Sequence, residues 1–491
     1  MGDLKTPSLQ RHFGLLHATA LNITMIVGAG VFLVVPTMLK EMPGPYALLG
    51  WLLAGIVMLF DGLIWSEWGA TLPGSGGSYL YLLECYGRSR WGRLMAFLFI
   101  WQFLISGPLE IGSGLIAIAQ FSSAITPRFE QYNEYHTHTL TLLASGNPDD
   151  VIAVSISPAR MVALALGLLM VVLLYRRITV LGRLTVTLWF GVLVIIGWIL
   201  IEGVLHFDPA RAFSLAGASL GPPADFATHL GAVMRLAMYS YLGYYTVCYI
   251  GDEVRDPGRT IPRSIVLSAL VVCLLFVAVH LAFVGTVPWH EAMILPSLPA
   301  EFMRRIYGQS WAVQLITVLL IWSCFGSAFA GILGYSRIPY GAARYGHFFS
   351  ALGRVHPVHA IPHVSLLLVG GLSLFWSLFS LQTVIDALIT TRIIEQFIGQ
   401  IIGVVLLRRS QPDRPRPYRI WLYPLPCAIA LVGWVYMYVT ARPVFILLGF
   451  GTLVAGTGAF VLWSWWTGSW PFGANQVKSS DPVGQDSDPV T

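Results

Sequence analysis

Two short runs that contain glycine interrupt long apolar stretches of the sequence. The first is Gly28-Ala29-Gly30, and the second is Ser240-Tyr241-Leu242-Gly243. Inside a membrane-spanning helix, such an interruption frees backbone N–H groups at the start of one half-helix and carbonyl groups at the end of the other. Freed N–H groups attract an anion, and freed carbonyls attract a cation. A pocket with both polarities suits a zwitterion such as an α-amino acid. Close helix packing through small residues is the competing interpretation.

The composition places these two runs in a membrane protein. The chain has 491 residues, of which 56% are hydrophobic and 11% are charged, and its mean hydropathy is +0.70. A soluble domain carries about 25% charged residues, so this chain lacks the polar side chains to cover a water-facing surface. A soluble enzyme, a nucleic-acid-binding protein and a disordered protein are therefore disfavoured. The class that fits is a polytopic membrane protein, with the lipid bilayer as its partner.

About twelve segments are long and apolar enough to cross a bilayer, and each must be a helix because lipid cannot satisfy an open backbone. The predicted fold is therefore all-α. The two interruptions fall in the first and sixth segments, which is typical of a transporter with a 5+5 inverted repeat; two further helices follow at the C-terminus. The predicted spans are 13–39, 46–70, 93–121, 158–175, 180–203, 230–251, 263–286, 311–341, 361–380, 383–407, 421–440 and 443–466.

The spans also predict the domain organisation and the orientation. Of the 29 Lys and Arg residues, 20 lie in the loops and termini of one predicted side and seven on the other. By the positive-inside rule both termini are cytoplasmic, in a plasma or inner membrane. The positive charge thus reflects topology, and no nucleic-acid partner is expected. The predicted parts are a cytoplasmic N-terminus (1–12), a first repeat (13–203), a second repeat (230–407), two additional spans (421–466) and a disordered cytoplasmic tail (467–491).

Charged side chains inside the predicted spans are costly in lipid and therefore point to function. Glu110 in the third span is a candidate for binding a coupling proton or a cationic substrate, and a carboxyl hydrogen-bonded to a neighbouring helix is the alternative. Arg392 and Glu395 are three residues apart in the tenth span, so we expect them to pair on one helix face as a structural or gating ion pair. Arg235 in the sixth span is a candidate for an outer gate, with an unknown partner.

Two serines of the eighth span are candidates for a sodium site. Ser323 and Ser327 are spaced i, i+4, so they share a helix face that would have to meet the first helix. Serines that serve helix packing are the alternative. Asp61 and Asp386 also lie inside predicted spans, and the sequence assigns no role to either.

Several motifs occur together, in the same order as in one transporter family. The resemblance is to the amino acid–polyamine–organocation permeases, and together the matches extend over most of 13–465. It implies a LeuT-type fold, alternating access, and an amino acid or a polyamine as substrate. The matching motifs are Gly-Ala-Gly-Val-Phe at 28–32, with Ala29 in place of the usual serine, Glu67 with the stretch 73–81, the stretch 251–265, the stretch 335–346 with Pro362, and Arg-Pro-Tyr-Arg at 416–419.

The resemblance also implies where a substrate binds. By position, its carboxylate would meet the backbone N–H groups of Ala29 and Gly30, and its amine would meet carbonyl groups of the first and sixth helices. Tyr244 would take the place of an aromatic side chain that often gates the pocket. The substrate-site candidates are Ile26, Gly28, Ala29, Gly30, Tyr239, Ser240, Tyr241, Leu242 and Tyr244.

The fifth span departs from the family in a way that bears on ion coupling. Proton-coupled members often carry a lysine midway along this helix, and the region 184–191 has none. The predicted function is a secondary active transporter of amino acids, either a cation (proton) symporter or an exchanger, and the coupling ion, H+ or Na+, stays open. A polyamine transporter and a nutrient-sensing or channel-like protein are the alternative functions. The sequence has no HExxH, GxSxG, P-loop or CxxC motif, so we expect neither an enzyme nor a bound metal or cofactor.

Overall fold

The computed structural model describes residues 13–28, 30–74, 76–88, 90–144, 151–175, 181–218, 222–308, 311–357, 359 and 361–472. Within these ranges, the side chains of residues 144, 151, 181–190, 223 and 224 are not described. The site candidate Ala29, the predicted N-terminal segment 1–12 and residues 473–491 of the predicted tail lie outside the described residues.

Helices make up nearly all of the regular structure in the described chain, which confirms an all-α polytopic membrane protein. The α-helices are α1 (Leu15–Ile26), α2 (Gly30–Glu41), α3 (Leu48–Thr71), α4 (Ser78–Cys85), α5 (Trp91–Ser123), α6 (Pro127–Tyr135), α7 (Pro158–Leu174), α8 (Leu181–Leu205), α9 (Pro209–Ala212), α10 (Pro223–Tyr241), α11 (Pro257–Thr286), α12 (Trp289–Ala292), α13 (Leu298–Tyr307), α14 (Trp311–Tyr335), α15 (Arg337–Arg344), α16 (His363–Trp376), α17 (Leu381–Arg392), α18 (Gly399–Ser410), α19 (Leu425–Val439) and α20 (Pro443–Thr467).

Among the described residues, six helical segments are long and apolar enough to cross a membrane unaided, and the bent pair of α1 and α2 makes a seventh. Helices α7, α16 and α19 are apolar but shorter, as is the part of α8 whose side chains are described. The total of about twelve spans and the inverted repeat are not tested by these segments and stay predictions. The six long segments are Gly44–Thr71, Trp91–Ser123, Pro257–Thr286, Trp311–Arg344, Leu381–Ser410 and Pro443–Thr467.

Both predicted helix breaks are present. Helix α1 ends at Ile26 and α2 begins at Gly30, with a bend of 48° between the two helices. Helix α10 ends at Tyr241, where Leu242 leaves the helical conformation with φ −55° and ψ 142°. Gly243 follows with a φ of +111°, a conformation that favours glycine because any side chain would be strained there. The first and sixth predicted spans are therefore discontinuous helices.

The tenth predicted span changes its hydrogen-bonding pattern at its centre. Between α17 and α18, residues Ile393–Ile398 form a π-helix. Because a π-helix closes its hydrogen bonds over one more residue than an α-helix, each residue is rotated by a smaller angle from the one before it. Side chains on the two sides of this segment are therefore displaced from the faces that an uninterrupted α-helix would give them.

The long connection between α5 and α7 contains regular structure. It holds α6 and an antiparallel hairpin of two strands, β1 (His138–Ala144) and β2 (Val151–Ile156). The N–H of Ser155 donates to the carbonyl of Leu378 at 2.9 Å, and Nη1 of Arg160 donates to the carbonyl of Phe379 at 2.9 Å. The hairpin and the start of α7 are thereby fastened to the turn between α16 and α17.

Two clusters of ion pairs mark opposite ends of the helix bundle. At one end, the buried carboxylate of Glu67 accepts a hydrogen bond from Nε of Arg408 at 2.8 Å and lies 3.8 Å from Arg416. We call this the arginine-rich end. Toward the other end, Nε of Arg235 in α10 lies 2.9 Å from the Asp386 carboxylate in α17. We call this the hairpin end, because α17 begins beside the hairpin.

Candidate substrate site at the helix breaks

The two helix breaks lie against each other. A Cβ atom at Gly30 would lie 3.1 Å from Oγ and 3.3 Å from Cα of Ser240. A Cβ atom at Gly243 would lie 3.1 Å from the carbonyl carbon of Met25 and 3.2 Å from the nitrogen of Ile26. At each break, a glycine thus allows the backbone of the other break to approach closely. A larger residue at either glycine would have to push the two segments apart.

Each break also presents backbone groups without a partner. The N–H groups of Gly30 and Val31, at the start of α2, donate to no other described residue. The carbonyls of Ser240 and Tyr241, at the end of α10, accept no hydrogen bond from the described chain. Backbone groups inside proteins are almost always paired. Open donors beside open acceptors therefore indicate a binding site for a small polar molecule.

The gap beside the first break is open to solvent. Oγ of Ser327 in α14 would lie 3.5 Å from a Cβ atom at Gly28, and Ser327 is exposed. The apolar side chains that α14 exposes include Leu315, Val318 and Trp322. At about 100° per residue, Ser327 lies on the opposite side of the helix from them. Ser327 is therefore exposed to a gap inside the bundle rather than to lipid.

The two candidate sodium ligands have different surroundings. Ser327 borders the gap beside the first helix. Ser323, one turn away on α14, is buried, and its hydroxyl bonds to no described group. The shared face of the two serines does approach the first helix, and sodium binding by this pair stays a prediction.

Tyr239 and Glu110 join the second break to α5. The Tyr239 hydroxyl lies 2.7 Å from Oγ of Ser113, which donates to the Glu110 carbonyl at 2.5 Å. The Glu110 carboxylate in turn lies 2.6 Å from Nη2 of Arg392, at the end of α17. The Arg392 side chain is 3% exposed, whereas that of Glu110 is 26% exposed. The candidate coupling carboxylate is thus half of an ion pair next to the breaks.

The predicted pairing of Arg392 with Glu395 is wrong. Arg392 pairs with Glu110, and Glu395 is buried with one carboxylate oxygen bonded to no described group. The cause is the π-helix that begins directly after Arg392, because its smaller rotation per residue turns Glu395 off the Arg392 face. The i, i+3 rule holds for an uninterrupted α-helix.

Several site candidates at the two breaks have side chains that are buried in the bundle. The Tyr241 hydroxyl donates to a backbone carbonyl of α3 at 3.1 Å, and the Tyr244 hydroxyl donates to Asp61, also in α3. Both tyrosines are fully buried, as are the apolar side chains of Leu242 and Ile26. These side chains fasten the broken helices to their surroundings, and the carbonyl of Ile26 is itself engaged by the N–H of Gly28 at 2.9 Å.

The gate candidate Arg235 has the partner that the sequence left unknown. Arg235 and Asp386 are 2% and 1% exposed, and Arg235 also donates to the carbonyl of Met437 at 3.1 Å. Asp386 has a second cation, Arg442, at 3.3 Å. This network links α10 and α17 to the connection between α19 and α20.

A separate hollow of about 180 Å³ lies beside α2 and α5. Seven of its ten lining residues are apolar, and Thr37, Lys40 and Gln120 are the polar ones. It reaches Phe32 and Leu33 of α2 but none of the open backbone groups described above. It is therefore distinct from the gap between the breaks.

Two residues next to the second break are absent from the predicted site. Asp61 accepts the Tyr244 hydrogen bond, and Tyr245 stacks on Trp65 of α3 at a ring distance of 4.3 Å. The sequence could have indicated Asp61, because it is a carboxylate in the middle of an apolar span. Its neighbours could not be read from the sequence, because they come from helices distant along the chain.

Comparison with known proteins decides the family. The family model of amino acid permeases matches residues 13–444, which is most of the chain. The chain belongs to the amino acid permease family. This membership confirms the resemblance seen in the motifs, and it makes the chain an amino acid transporter rather than an enzyme.

The permease is also similar to individual transporters over nearly its whole length. It is 27% identical to the cystine/glutamate transporter of Homo sapiens, covering 93% of this chain and 86% of that protein. It is 24% identical to the branched-chain amino acid permease BcaP of Bacillus subtilis, covering 93% and 94%. It is 24% identical to the serine/threonine exchanger SteT of the same bacterium, covering 87% and 90%. These relatives comprise amino acid permeases and exchangers with different substrates.

Proposed function

We propose that the permease is a secondary active transporter that binds its amino acid between the two helix breaks and carries it by alternating access. The observation that supports this site is the close approach of Gly30 to Ser240 and of Gly243 to Met25. That approach brings open N–H groups and open carbonyls to the same place in the fold. The proposal extends family membership to a specific location and mode of binding.

The polarity of the site fits the part that all α-amino acids share. The substrate carboxylate binds the N–H groups of Gly30 and Val31, at the positive end of the α2 dipole, next to Ala29. The substrate ammonium binds the carbonyls of Ser240 and Tyr241, at the negative end of the α10 dipole. A charge at a helix end is stabilised by about 0.3–1 kcal/mol when exposed and by up to about 2 kcal/mol when partly buried.

A polyamine is a weaker candidate because neither acidic side chain next to the second break offers free negative charge to the gap: Glu110 is paired, and Asp61 is 1% exposed behind Tyr244. The acidic side chain closest to the second break in α5, Glu110, already has Arg392 as its partner at 2.6 Å. A polycation would need carboxylates that are both unpaired and open to the gap, since a buried charge without compensation is costly. A zwitterion needs no net negative charge from the protein.

The conformation supports access from the arginine-rich end. Ser327 and, two turns further along the same side of α14, Gly334 are both exposed. At the hairpin end, Phe32 packs edge-on against Phe283 of α11, with ring centres 6.5 Å apart. By the charge rule the arginine-rich end faces the cytoplasm of a plasma or inner membrane, so this state is open inward. Transport then requires this end to close and the hairpin end to open.

The binding step is tested by a substitution at Gly30. The purified permease is placed in proteoliposomes, and initial uptake is measured for labelled leucine, serine, glutamate and cystine under pH and sodium gradients. We expect the wild type to take up at least one of them. Gly30→Val should lower that rate by about tenfold or more, or ~1.4 kcal/mol, because the new side chain occupies the gap at Ser240.

Gly458→Val is the matched control. Gly458 lies in the middle of α20, where an added Cβ atom would meet nothing within 4 Å, so uptake should equal that of the wild type. A folded Gly30→Val protein that transports at the wild-type rate would exclude the proposed site. A folded wild type that moves none of the amino acids under either gradient would contradict the proposed function.

A further inference from the structure

Among the described residues of the spans, two acidic side chains, Asp61 and Glu395, are buried without a positively charged partner, and only Asp61 contacts Tyr244 at the second break. Glu67, Glu110 and Asp386 each lie within ion-pair distance of an arginine. Asp61, in the middle of α3, is 1% exposed, and no Lys, Arg or His of the described chain forms an ion pair with it. The lack of a counter-charge distinguishes Asp61 from these three, and its contact with Tyr244 places it beside the substrate site.

Asp61 is held by neutral donors only, from Tyr244, Trp434 and Trp65. The Tyr244 hydroxyl donates to Oδ2, and Nε1 of Trp434 in α19 donates to Oδ1 at 3.2 Å. Neutral donors stabilise a carboxylate without cancelling its charge, and a lone charge in the membrane interior is costly. The closed surroundings of Asp61 therefore fit a carboxyl group that carries a proton.

The elements packed around Asp61 supply no free cation from the part of the chain that the structure describes. Helix α11 faces this part of α3 with Ile265, which would lie 3.1 Å from a Cβ atom at Gly62. Phe397 of the π-helix stacks on Trp434 at 3.8 Å, and the nearby Arg392 is engaged by Glu110. The titratable groups beside Asp61 are Tyr244 and Tyr245 from the second break and Cys427 from α19. Cys427 also neighbours Arg408 and Glu67, which pair with each other.

We propose that Asp61 is a proton-binding site that couples proton movement to amino acid transport. The proposal rests on the function proposed above and names its coupling ion. A proton from water adds to the Asp61 carboxylate and gives a neutral carboxyl, and the same proton later returns to water on the other side. No other bond forms or breaks.

The proton and the substrate act on the same short segment. Ser240 and Tyr241 provide the open carbonyls, and Tyr244, three residues beyond Tyr241, contacts Asp61. For water to reach Asp61, Tyr244 must move, and this movement shifts the carbonyls that hold the ammonium group. Each ligand therefore biases the same conformational change, which is what thermodynamic coupling between two sites requires.

The test uses the full-length permease in proteoliposomes with the membrane potential held at zero. When the interior is one pH unit more alkaline than the exterior, one proton per amino acid supports about tenfold accumulation of substrate. We expect the wild type to approach that ratio. We expect Asp61→Asn to equilibrate without accumulation, yet still to exchange internal for external amino acid at a measurable rate, because Asn resembles the neutral carboxyl.

Glu395→Gln is the matched control, since Glu395 is another buried acidic residue without an arginine partner, and it should accumulate substrate like the wild type. A wild type without uptake or exchange would refute the proposed function itself. Exchange without pH-driven accumulation in the wild type would overturn only the proton site. So would wild-type accumulation by Asp61→Asn, or accumulation driven by sodium instead of protons.

Tyr244→Phe provides a second test should Asp61→Asn fail to fold. It keeps the carboxyl group and removes one donor that stabilises its ionised form. The pH of half-maximal driven uptake should then rise by about half to one unit, the size expected from one hydrogen bond. An unchanged pH profile would contradict the proposed link through Tyr244.

Discussion

Individual arginines inside the spans are neutralised by carboxylates from other helices. Arg235 has Asp386, and Arg392 has Glu110. A buried ion pair adds little net stability compared with a well-packed apolar pair. Removing one partner is different, because the remaining charge stays buried at a cost of about 3–5 kcal/mol. Removing either member of a pair should therefore cost the same stability only if the two side chains are equally buried.

The pair of Glu110 and Arg392 is unequally buried, and this predicts an asymmetric effect of mutation. Glu110→Gln leaves the 3%-exposed Arg392 uncompensated, whereas Arg392→Gln leaves Glu110, which is 26% exposed and can be hydrated. We expect Glu110→Gln to lower the melting temperature in detergent by several degrees more than Arg392→Gln does. Thermal unfolding followed by tryptophan fluorescence measures the difference.

The double variant Glu110→Gln with Arg392→Gln serves as the control for this ranking. It removes both charges and should melt at a higher temperature than Glu110→Gln alone. If the two single variants lose equal stability, or if the double variant loses the sum of both, the ion pair does not govern the stability of this region.

Residue types alone predicted where the helix breaks lie, but they did not predict which side chains pair with the buried charges. Gly28 and Gly30 stand out in an apolar span. Because glycine has no side chain, another segment can approach the backbone closely at these positions. Arg392 was assigned to Glu395 by spacing, and that assignment failed because the chain changes its helix type between them. Arg235 was recognised as unusual, but its partner Asp386 lies 151 residues away.

At the scale of elements, Glu67 connects three parts of the arginine-rich end. Its carboxylate on α3 accepts hydrogen bonds from Arg408 of α18 and, at 2.8 Å, from the backbone N–H of Ile420 before α19. The Glu67 side chain is 2% exposed. Removing the charge of Glu67 should lower the stability of the protein strongly, since its buried partners cannot form replacement hydrogen bonds with water.

We therefore expect Glu67→Gln to destabilise the protein more than Glu84→Gln. Glu84 is also paired with arginines, Arg88 and Arg414, but its side chain is 12% exposed. Melting temperatures of the two purified variants measure the difference. Equal melting temperatures would mean that the connections made by Glu67 do not hold α3, α18 and α19 together.

Element boundaries were predictable where hydropathy or glycine marks them. The breaks fall at the predicted places, and α5 runs without interruption across the third predicted span despite Pro108. The π-helix at Ile393–Ile398 was not predictable, because no residue type in that run requires it. The hairpin of β1 and β2 was also missed, since its pairing depends on the turn at Leu378 and Phe379 as well as on its own strands.

At the scale of the whole molecule, the open gap predicts which side of the membrane reaches the site. Ser327→Cys should react with a charged, membrane-impermeant maleimide in inside-out vesicles and not in right-side-out vesicles. The reason is that Ser327 is exposed along a face of α14 that leads to the arginine-rich end. Mass spectrometry of the labelled protein measures the modification.

Ser323→Cys is the control, because this position is one turn away on the same helix and is buried. It should stay unlabelled in both preparations. Labelling of Ser327→Cys from the opposite side would reverse the orientation predicted from the distribution of arginines. That distribution, the hydropathy and the order of motifs were sufficient for the fold class and the family, since these properties are summed over the whole chain.

The hairpin has a consequence for how such a molecule can move. The backbone N–H of Ser155 in the hairpin donates to the carbonyl of Leu378. The side chain of Arg160, at the start of α7, donates to the carbonyl of Phe379, 219 residues further along the chain. Helices α7 and α16 also pack on α5. We expect these parts to form a frame that keeps its shape while the discontinuous helices move in the proposed transport cycle, and cutting the chain between β1 and β2 should leave that frame assembled.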